Sequence, residues 1–313
     1  MTRAFIFPGQ GSQAVGMGRE LADAFPAARA VFAEIDDALH QKLSTLMFEG
    51  PEAELTLTAN AQPALMAVSL AVIRVLERDF KLDLANHVAY VAGHSLGEYS
   101  ALAAARSFAV ADAARLLKRR GEAMQRAVPV GVGAMAALLG LDLDAARAVA
   151  AAAAQGQVCS AANDNGPGQV VVSGDKAAVE RALAEASARG ARRSIMLAVS
   201  APFHCALMAP AAREMDTALA ETRIAAPLVP VVANVTAAPV SEPDAIRRLL
   251  VEQVTEMVRW RECVLAMKQL GVTELYEIGS GKVLTALAKR IDRDLAASAV
   301  GTPADIEAFA KTL

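Results

Sequence analysis

"YVAGHSLGEYSALAAA", residues 90–105, runs from a short apolar stretch through a Gly-His-Ser-Leu-Gly turn straight into an Ala/Leu-rich segment of helical character. Strand, tight turn and helix in that order is how an α/β enzyme presents a nucleophilic serine. Gly93-His94-Ser95-Leu96-Gly97 meets the pattern G-x-S-x-G. The flanking residues must be small, because a strained strand-to-helix turn leaves no room for side chains against neighbouring backbone. Such a turn lifts Ser95 to a helix N-terminus, whose free N–H groups favour negative charge. It also aims the Leu96 N–H toward a developing oxyanion. A purely structural turn needs the same glycines, so partners elsewhere in the chain decide between the two.

Outward from the turn, strands alternate with helices, which predicts a parallel α/β sheet. Upstream lie a strand at Ala4–Phe7, a Gly-rich loop, amphipathic helices over about 20–40 and 60–80, and a strand at His87–Ala92. Downstream the periodicity predicts helices over about 96–106 and 111–126. Around Pro129 the texture changes. "VGAMAALLGL" reads as a strand, and "DLDAARAVAAAAAQG" as a helix with Asp142 or Asp144 near its start. "QVCSAANDN" and "GQVVVSG" read as strands about the turn-rich "NDNGPG". "DKAAVERALAEASARG" reads as a helix closed by Gly190, and "ARRSIMLAVS" as a strand. The order β-α-β-β-α-β is that of a ferredoxin-like module. The expected organisation is a large α/β catalytic domain from residues 1–128 and 199–313, with a small ferredoxin-like domain inserted at 129–198. The tail adds "LVPVVANV" as a strand, a helix over about 243–270, the strand "ELYEIG", and "GSGKVLTALAKRI" opening a last helix.

Composition narrows the function. A chain of 313 residues with 54% apolar content can bury a substantial core. A net charge of −3 with both signs dispersed points to neither nucleic acid nor a membrane surface. The short apolar run before Pro8 is too brief for a signal peptide. No window reaches the roughly 18 consecutive apolar residues of a membrane span. A cytoplasmic, monomeric protein is expected. Cys159, Cys205 and Cys263 are widely spaced with no CxxC pair, which predicts reduced thiols and no metal site.

Ser95 needs a base. His40 sits in a polar helical context, His87 opens a strand, and the side chain of His94 should point away from that of Ser95. His204, on the turn "SAPFHCALM", is the candidate base. In an α/β-hydrolase an acid between serine and histidine would orient that base. Here Asp142, Asp144, Asp164, Asp175, Glu180 and Glu185 fall mostly in the inserted module, which weakens the hydrolase reading and leaves room for a neutral acceptor.

Ala113, Leu116, Leu117 and Met124 form an apolar stripe that also contains Arg120, whereas Arg119 faces solvent. An inward guanidinium needs an anion or full hydrogen bonding. A structural ion pair satisfies that, and so does a grip on a substrate carboxylate. "FPGQGSQAVGMG" formally matches a dinucleotide fingerprint, but the second strand it requires reads as the helix "ARAVFAEIDDAL". The better reading is a loop that brings backbone and Gln10 to a bound group beside the serine turn.

Motifs then stand in a fixed order: "FPGQGSQ" near the start, "NAQPAL" at 60–65, "GHSLGEYSAL" at 93–102, "RRGEAMQ", "NDNGPGQVVVSG" at 163–174, "PFHCALM" at 202–208 and "EIGSGKVLTALAKRI". Together they resemble the malonyl-CoA:acyl-carrier-protein transacylases of type II fatty acid synthesis, over essentially the whole chain. The resemblance implies a hydrolase-like α/β core with a ferredoxin-like insertion. It also implies ping-pong transfer of malonyl from CoA to a carrier-protein phosphopantetheine thiol, without metal or dissociable cofactor. It makes Ser95 the nucleophile, His204 its base, and Gln253 the residue whose main-chain carbonyl orients the histidine. It makes Gln10 and Leu96 the oxyanion donors, Arg120 the clamp on malonyl, and Gln62 and Asn163 pocket residues. Phe203 stands where relatives that accept an α-methyl group tend to carry Ser, so a preference for malonyl is expected. A malonyl transferase of a malonate decarboxylase or polyketide pathway shares these motifs, and a serine hydrolase shares Ser95 and His204.

Overall fold

The structure, a computed structural model, describes residues 2–313. Its first half contains β1 Arg3–Phe7, α1 Arg19–Ala24, α2 Pro26–Leu39, α3 Leu43–Glu49, α4 Glu52–Leu55, α5 Thr58–Asp79, α6 Leu84–His87, β2 Tyr90–Gly93, α7 Leu96–Ala104 and α8 Val110–Ala127. Then come β3 Gly133–Leu139, α9 Leu143–Ala154, β4 Cys159–Gly166, β5 Gln169–Asp175, α10 Lys176–Ala188 and β6 Arg193–Met196. The tail supplies α11 Ala209–Ala220, β7 Val231–Val232, β8 Pro239–Val240, α12 Pro243–Glu252, α13 Trp260–Gln269, β9 Glu274–Ile278, α14 Val283–Ile291, β10 Ala296–Val300 and α15 Pro303–Ala310.

These elements form an α/β fold around a six-stranded sheet of order β10-β9-β1-β2-β7-β8. The sheet is mixed: its pairs run parallel except for β8, which returns antiparallel to β7. β1 and β2 are buried almost throughout, as strands covered on both faces require. A second, antiparallel sheet has the order β4-β5-β3-β6. Along β3 the side chains alternate, as the pleat dictates. Ala134, Ala136 and Leu138 pack with Val149 and Val179 of α9 and α10, whereas Met135 and Ala137 join the core of the larger unit.

The large core is organised by α5, whose residues are nearly all buried. By length and hydropathy α5 could cross a membrane, but 83% of its apolar window lies inside the fold. α8 packs on it closely. A Cβ at Gly121 would lie 2.6 Å from the Ala59 Cα and the Thr58 carbonyl oxygen, so the glycine lets the two helices approach. This contact brings the preceding Arg120 to the site.

Several elements depart from their expected limits. The segment 20–40 is two helices separated at Phe25, with Pro26 starting the second. His87 ends the short α6 instead of opening a strand, because Asp83 caps a helical turn there through Ala85 N–H. β4 continues through "NDNG", leaving only Pro167 and Gly168 as the turn to β5. "LVPVVANV" yields two strand residues, Val231 and Val232. The expected helix over 243–270 breaks into α12 and α13, and Val258 in the break pairs with Asn163 of β4. β10 and α15 lie beyond the segment expected to form the last helix. Ala-rich β10 has little of the β-branched signal that marks a strand.

Candidate active site

Ser95 follows β2 and precedes α7, with φ 53° and ψ −110°. A non-glycine residue held there stores roughly 1–3 kcal/mol of strain that its surroundings must offset. The flanking glycines have steric causes. A Cβ at Gly93 would sit 1.9 Å from the Gly97 carbonyl, and one at Gly97 would sit 2.3 Å from the Phe7 carbonyl oxygen of β1. Asn234, just beyond β7, braces the turn from the neighbouring strand. Its Oδ1 accepts from Ser95 N–H at 2.8 Å and its Nδ2 donates to the Gly93 carbonyl at 2.7 Å.

His204 lies on the loop before α11 and is buried. Its Nε2 is 2.8 Å from Ser95 Oγ, and its Nδ1 is 2.8 Å from the main-chain oxygen of Gln253. A carbonyl can only accept, so the Nδ1 carries the proton and Nε2 presents its lone pair to the serine hydroxyl. No carboxylate is needed to select that tautomer. Burial, reinforced by the Arg120 charge, pushes the imidazole down from 6.5 to about 3, so it is neutral and able to accept a proton near neutral pH.

Arg120 is 1% exposed. Its Nη1 donates to Gln62 Oε1 at 2.8 Å, and its Nη2 to Gln253 Oε1 at 2.9 Å and to Ser95 Oγ at 3.1 Å. Its Nε–H has no partner among the described residues, and none of their carboxylates forms an ion pair with it. Its guanidinium carbon lies 5.6 Å from the centre of the Tyr99 ring. Arg119 instead meets Glu214 and Glu221 at the surface.

Ser95, Leu96, His204 and Arg120 line one cavity of about 320 Å³ together with Gln10, Gln62, Asn163 and Phe203. Gln253 stands behind it, fully buried. The N-terminal loop reaches the serine turn: a Cβ at Gly9 would be 2.8 Å from the His94 carbonyl oxygen. Among the described residues the backbone N–H groups of Gln10 and Leu96 carry no hydrogen bond. The Gln10 side chain donates to Thr58 Oγ1 at 3.2 Å.

Sequence reasoning set His94 aside, yet it too lines the cavity, with its Nε2 2.8 Å from Asn165 Oδ1 of β4. It missed two further residues. Asn234 follows the strand beside the serine strand, where α/β folds place ligand-handling groups. That position was the available signal. Glu98, one turn into the wholly buried α7, accepts at Oε2 from Asn234 N–H and from Gln253 Nε2, each at 2.9 Å. Burial pushes its carboxyl up to about 7 against those two hydrogen bonds and the Arg120 charge. A single charge on an otherwise uncharged helix was its signal. Among the described residues no cluster of three or more His, Cys, Asp or Glu could hold a metal ion. All three cysteines are free thiols.

A serine on a strained turn, a neutral histidine on its hydroxyl and a buried cationic donor in the same cavity define an acyl-transferring enzyme of the serine type. The chain belongs to the acyl transferase domain family, whose profile matches residues 4–298. Its relatives there include malonyl CoA-acyl carrier protein transacylases, and that of Escherichia coli (strain K12) is 48% identical over 305 residues, 97% of each chain. The acyl-carrier-protein-S-malonyltransferase of Bartonella henselae superposes with a TM-score of 0.98 at 56% identity, covering 100% of this chain and 99% of the other. A malonyl-transacylase solved in complex with its type II PKS acyl-carrier protein gives 0.96 at 44% identity, with both chains fully covered.

Proposed function

We propose that this enzyme transfers malonyl from malonyl-CoA to the phosphopantetheine thiol of an acyl carrier protein, through a malonyl ester on Ser95, and so feeds fatty acid elongation. The observation that carries the reading is the buried Arg120, which has a free Nε–H and no carboxylate partner among the described residues and donates to the nucleophile at 3.1 Å. A free carboxylate on the acyl group completes that site, and Arg120 grips it while the thioester carbonyl meets Ser95. His204 takes the Ser95 proton as Oγ attacks, then returns it to the departing CoA sulfur. In the second half-reaction the carrier thiol gives its proton to His204 and attacks the malonyl ester, and His204 returns that proton to Ser95 Oγ as the ester bond breaks. The N–H groups of Gln10 and Leu96 receive the negative charge on the tetrahedral oxygen, while Gln62 and Asn163 shape the pocket. Phe203, buried at its wall, crowds an α-methyl group, a discrimination of about 1–3 kcal/mol. We read the antiparallel unit as a ferredoxin-like small domain inserted over 129–198 in a hydrolase-like core of 1–128 and 199–313. The β4-β5-β3-β6 order and the shared packing of α9 and α10 support that division.

The test is intact mass after brief exposure to malonyl-, acetyl- or methylmalonyl-CoA, for wild type and Ser95→Ala, with and without phosphopantetheinylated carrier protein. The expected result is a malonyl adduct on wild type only, discharged onto the carrier, with methylmalonyl loading slower by about tenfold or more. An adduct lost to water equally fast without the carrier would make the enzyme a hydrolase. Comparable methylmalonyl loading would remove the role given to Phe203.

A further inference from the structure

Behind the cavity, buried groups meet at the side chain of Gln253. Its Oε1 accepts from Arg120 Nη2 at 2.9 Å, and its Nε2 donates to Glu98 Oε2 at 2.9 Å and to the Ser95 carbonyl at 3.1 Å. A side-chain amide has two chemically different ends, and packing alone distinguishes them poorly. Here both ends are specified. Arg120 has only donors, so the oxygen must face it. Glu98 Oε2 is an acceptor approached by two donors, the Asn234 N–H and the Gln253 amide. When the Glu98 carboxyl is neutral, its proton falls on Oε1, and Oε2 still accepts.

We propose that Glu98 is a positioning residue for substrate selection: by fixing the Gln253 amide with its oxygen toward Arg120, it holds the guanidinium ready for the acyl carboxylate. The inference rests on the reading of Arg120 as the malonyl clamp. Without an acceptor at Glu98, the Gln253 NH2 loses its shortest contact and keeps only the Ser95 carbonyl at 3.1 Å and Asn234 Oδ1 at 3.3 Å, so the amide shifts toward them and draws its oxygen back from Arg120. A guanidinium left short of an acceptor in a dry site is costly, and Arg120 withdraws from the position that grips the substrate. The main-chain carbonyl of Gln253, which holds His204, is untouched by movement of its own side chain. Binding of the charged acyl group is therefore damaged more than the chemistry at Ser95.

The readout is the ratio of kcat/KM for malonyl-CoA to that for acetyl-CoA, measured as carrier acylation, with kcat and KM resolved for each donor. Glu98→Met, which keeps the volume, lowers the ratio by about tenfold, chiefly through the KM for malonyl-CoA. Glu98→Gln, which keeps an acceptor oxygen, restores it to within about threefold. Gln253→Met lowers the ratio similarly, and the double variant lowers it no further, because both substitutions cut one path. Glu98→Ala takes the place of Glu98→Met if the latter fails to fold. Arg120→Ala separates the two readings. If Arg120→Ala leaves the ratio unchanged, the malonyl clamp itself fails. If it collapses the ratio while the Glu98 variants preserve it, or lower both donors equally, the clamp stands and the role assigned to Glu98 is overturned.

Discussion

His204 receives its tautomer from a main-chain carbonyl, and burial, reinforced by the Arg120 charge, disfavours its imidazolium form. That arrangement suits a site whose substrate carries its own negative charge. An incoming carboxylate offsets Arg120 and raises the histidine's proton affinity at the moment it must accept the Ser95 proton. In the free enzyme the imidazole stays neutral down to about 3, so the second-order malonylation rate shows no loss of base near the ordinary 6.5. At saturating malonyl-CoA the acid limb moves to higher pH. Rapid-quench malonylation rates across pH check both, and a second-order limb centred near 6.5 would count against the buried neutral histidine. At this scale Ser95, His204 and Arg120 were legible because turn chemistry and a helical stripe announce them. The Gln253 carbonyl was reachable only by resemblance, since a main-chain acceptor leaves no mark in side-chain identity. Asn234 and Glu98 were missed because their work is done across 136 residues of chain.

The turn between β2 and α7 is held from both sides, by glycines that admit the β1 backbone and by Asn234 reaching over from the end of β7. Asn234→Ala leaves the Ser95 N–H and the Gly93 carbonyl without their partner, each costing about 1–3 kcal/mol if still buried. The strain at Ser95 then relaxes and the hydroxyl leaves His204. The expected outcome is a lower melting temperature and an acylation rate reduced for malonyl and acetyl donors alike by about a hundredfold. Stopped-flow acylation with both donors checks this, and a loss confined to malonyl would assign Asn234 to substrate binding instead. The β2–turn–α7 unit was readable because its requirements are local. The break between α12 and α13 was not, because an unbroken helical pattern hides the edge pairing that Val258 makes with β4.

Taken whole, the molecule places its cavity where two sheets meet, so catalysis depends on how firmly the smaller unit is seated. Met135 and Val171 of the smaller sheet line the cavity from one side while Ser95 and Arg120 line it from the other. Several contacts between the sheets fix the seating, among them the His94–Asn165 hydrogen bond. Val258 hydrogen-bonds Ala162 and Asp164 at 2.9 Å each, Gly133 leaves room for Pro202, and Arg261 pairs with Asp164 at 2.8 Å. Alternating strands and helices made most elements of both sheets legible in sequence, but not the contacts between the sheets, which join residues far apart in the chain. The Asp164 side chain is 1% exposed and Arg261 about a third exposed, so Arg261→Met abandons a buried carboxylate. The cost is about 1–3 kcal/mol. Burial already raises the Asp164 carboxyl, and Arg261 opposes that rise. Without Arg261 the folded-state value climbs further above the unfolded 3.8. The folded protein then binds the extra proton, so stability falls as pH rises from the unfolded value through the folded one. Thermal melts of Arg261→Met should therefore show a larger deficit at alkaline than at acidic pH, accompanied by a raised KM for malonyl-CoA. Asp164→Asn in the same chain should abolish the pH dependence of that deficit. A deficit equal at every pH would mean that the pair contributes packing alone, and that charge at this junction has no part in seating the smaller unit over the cavity.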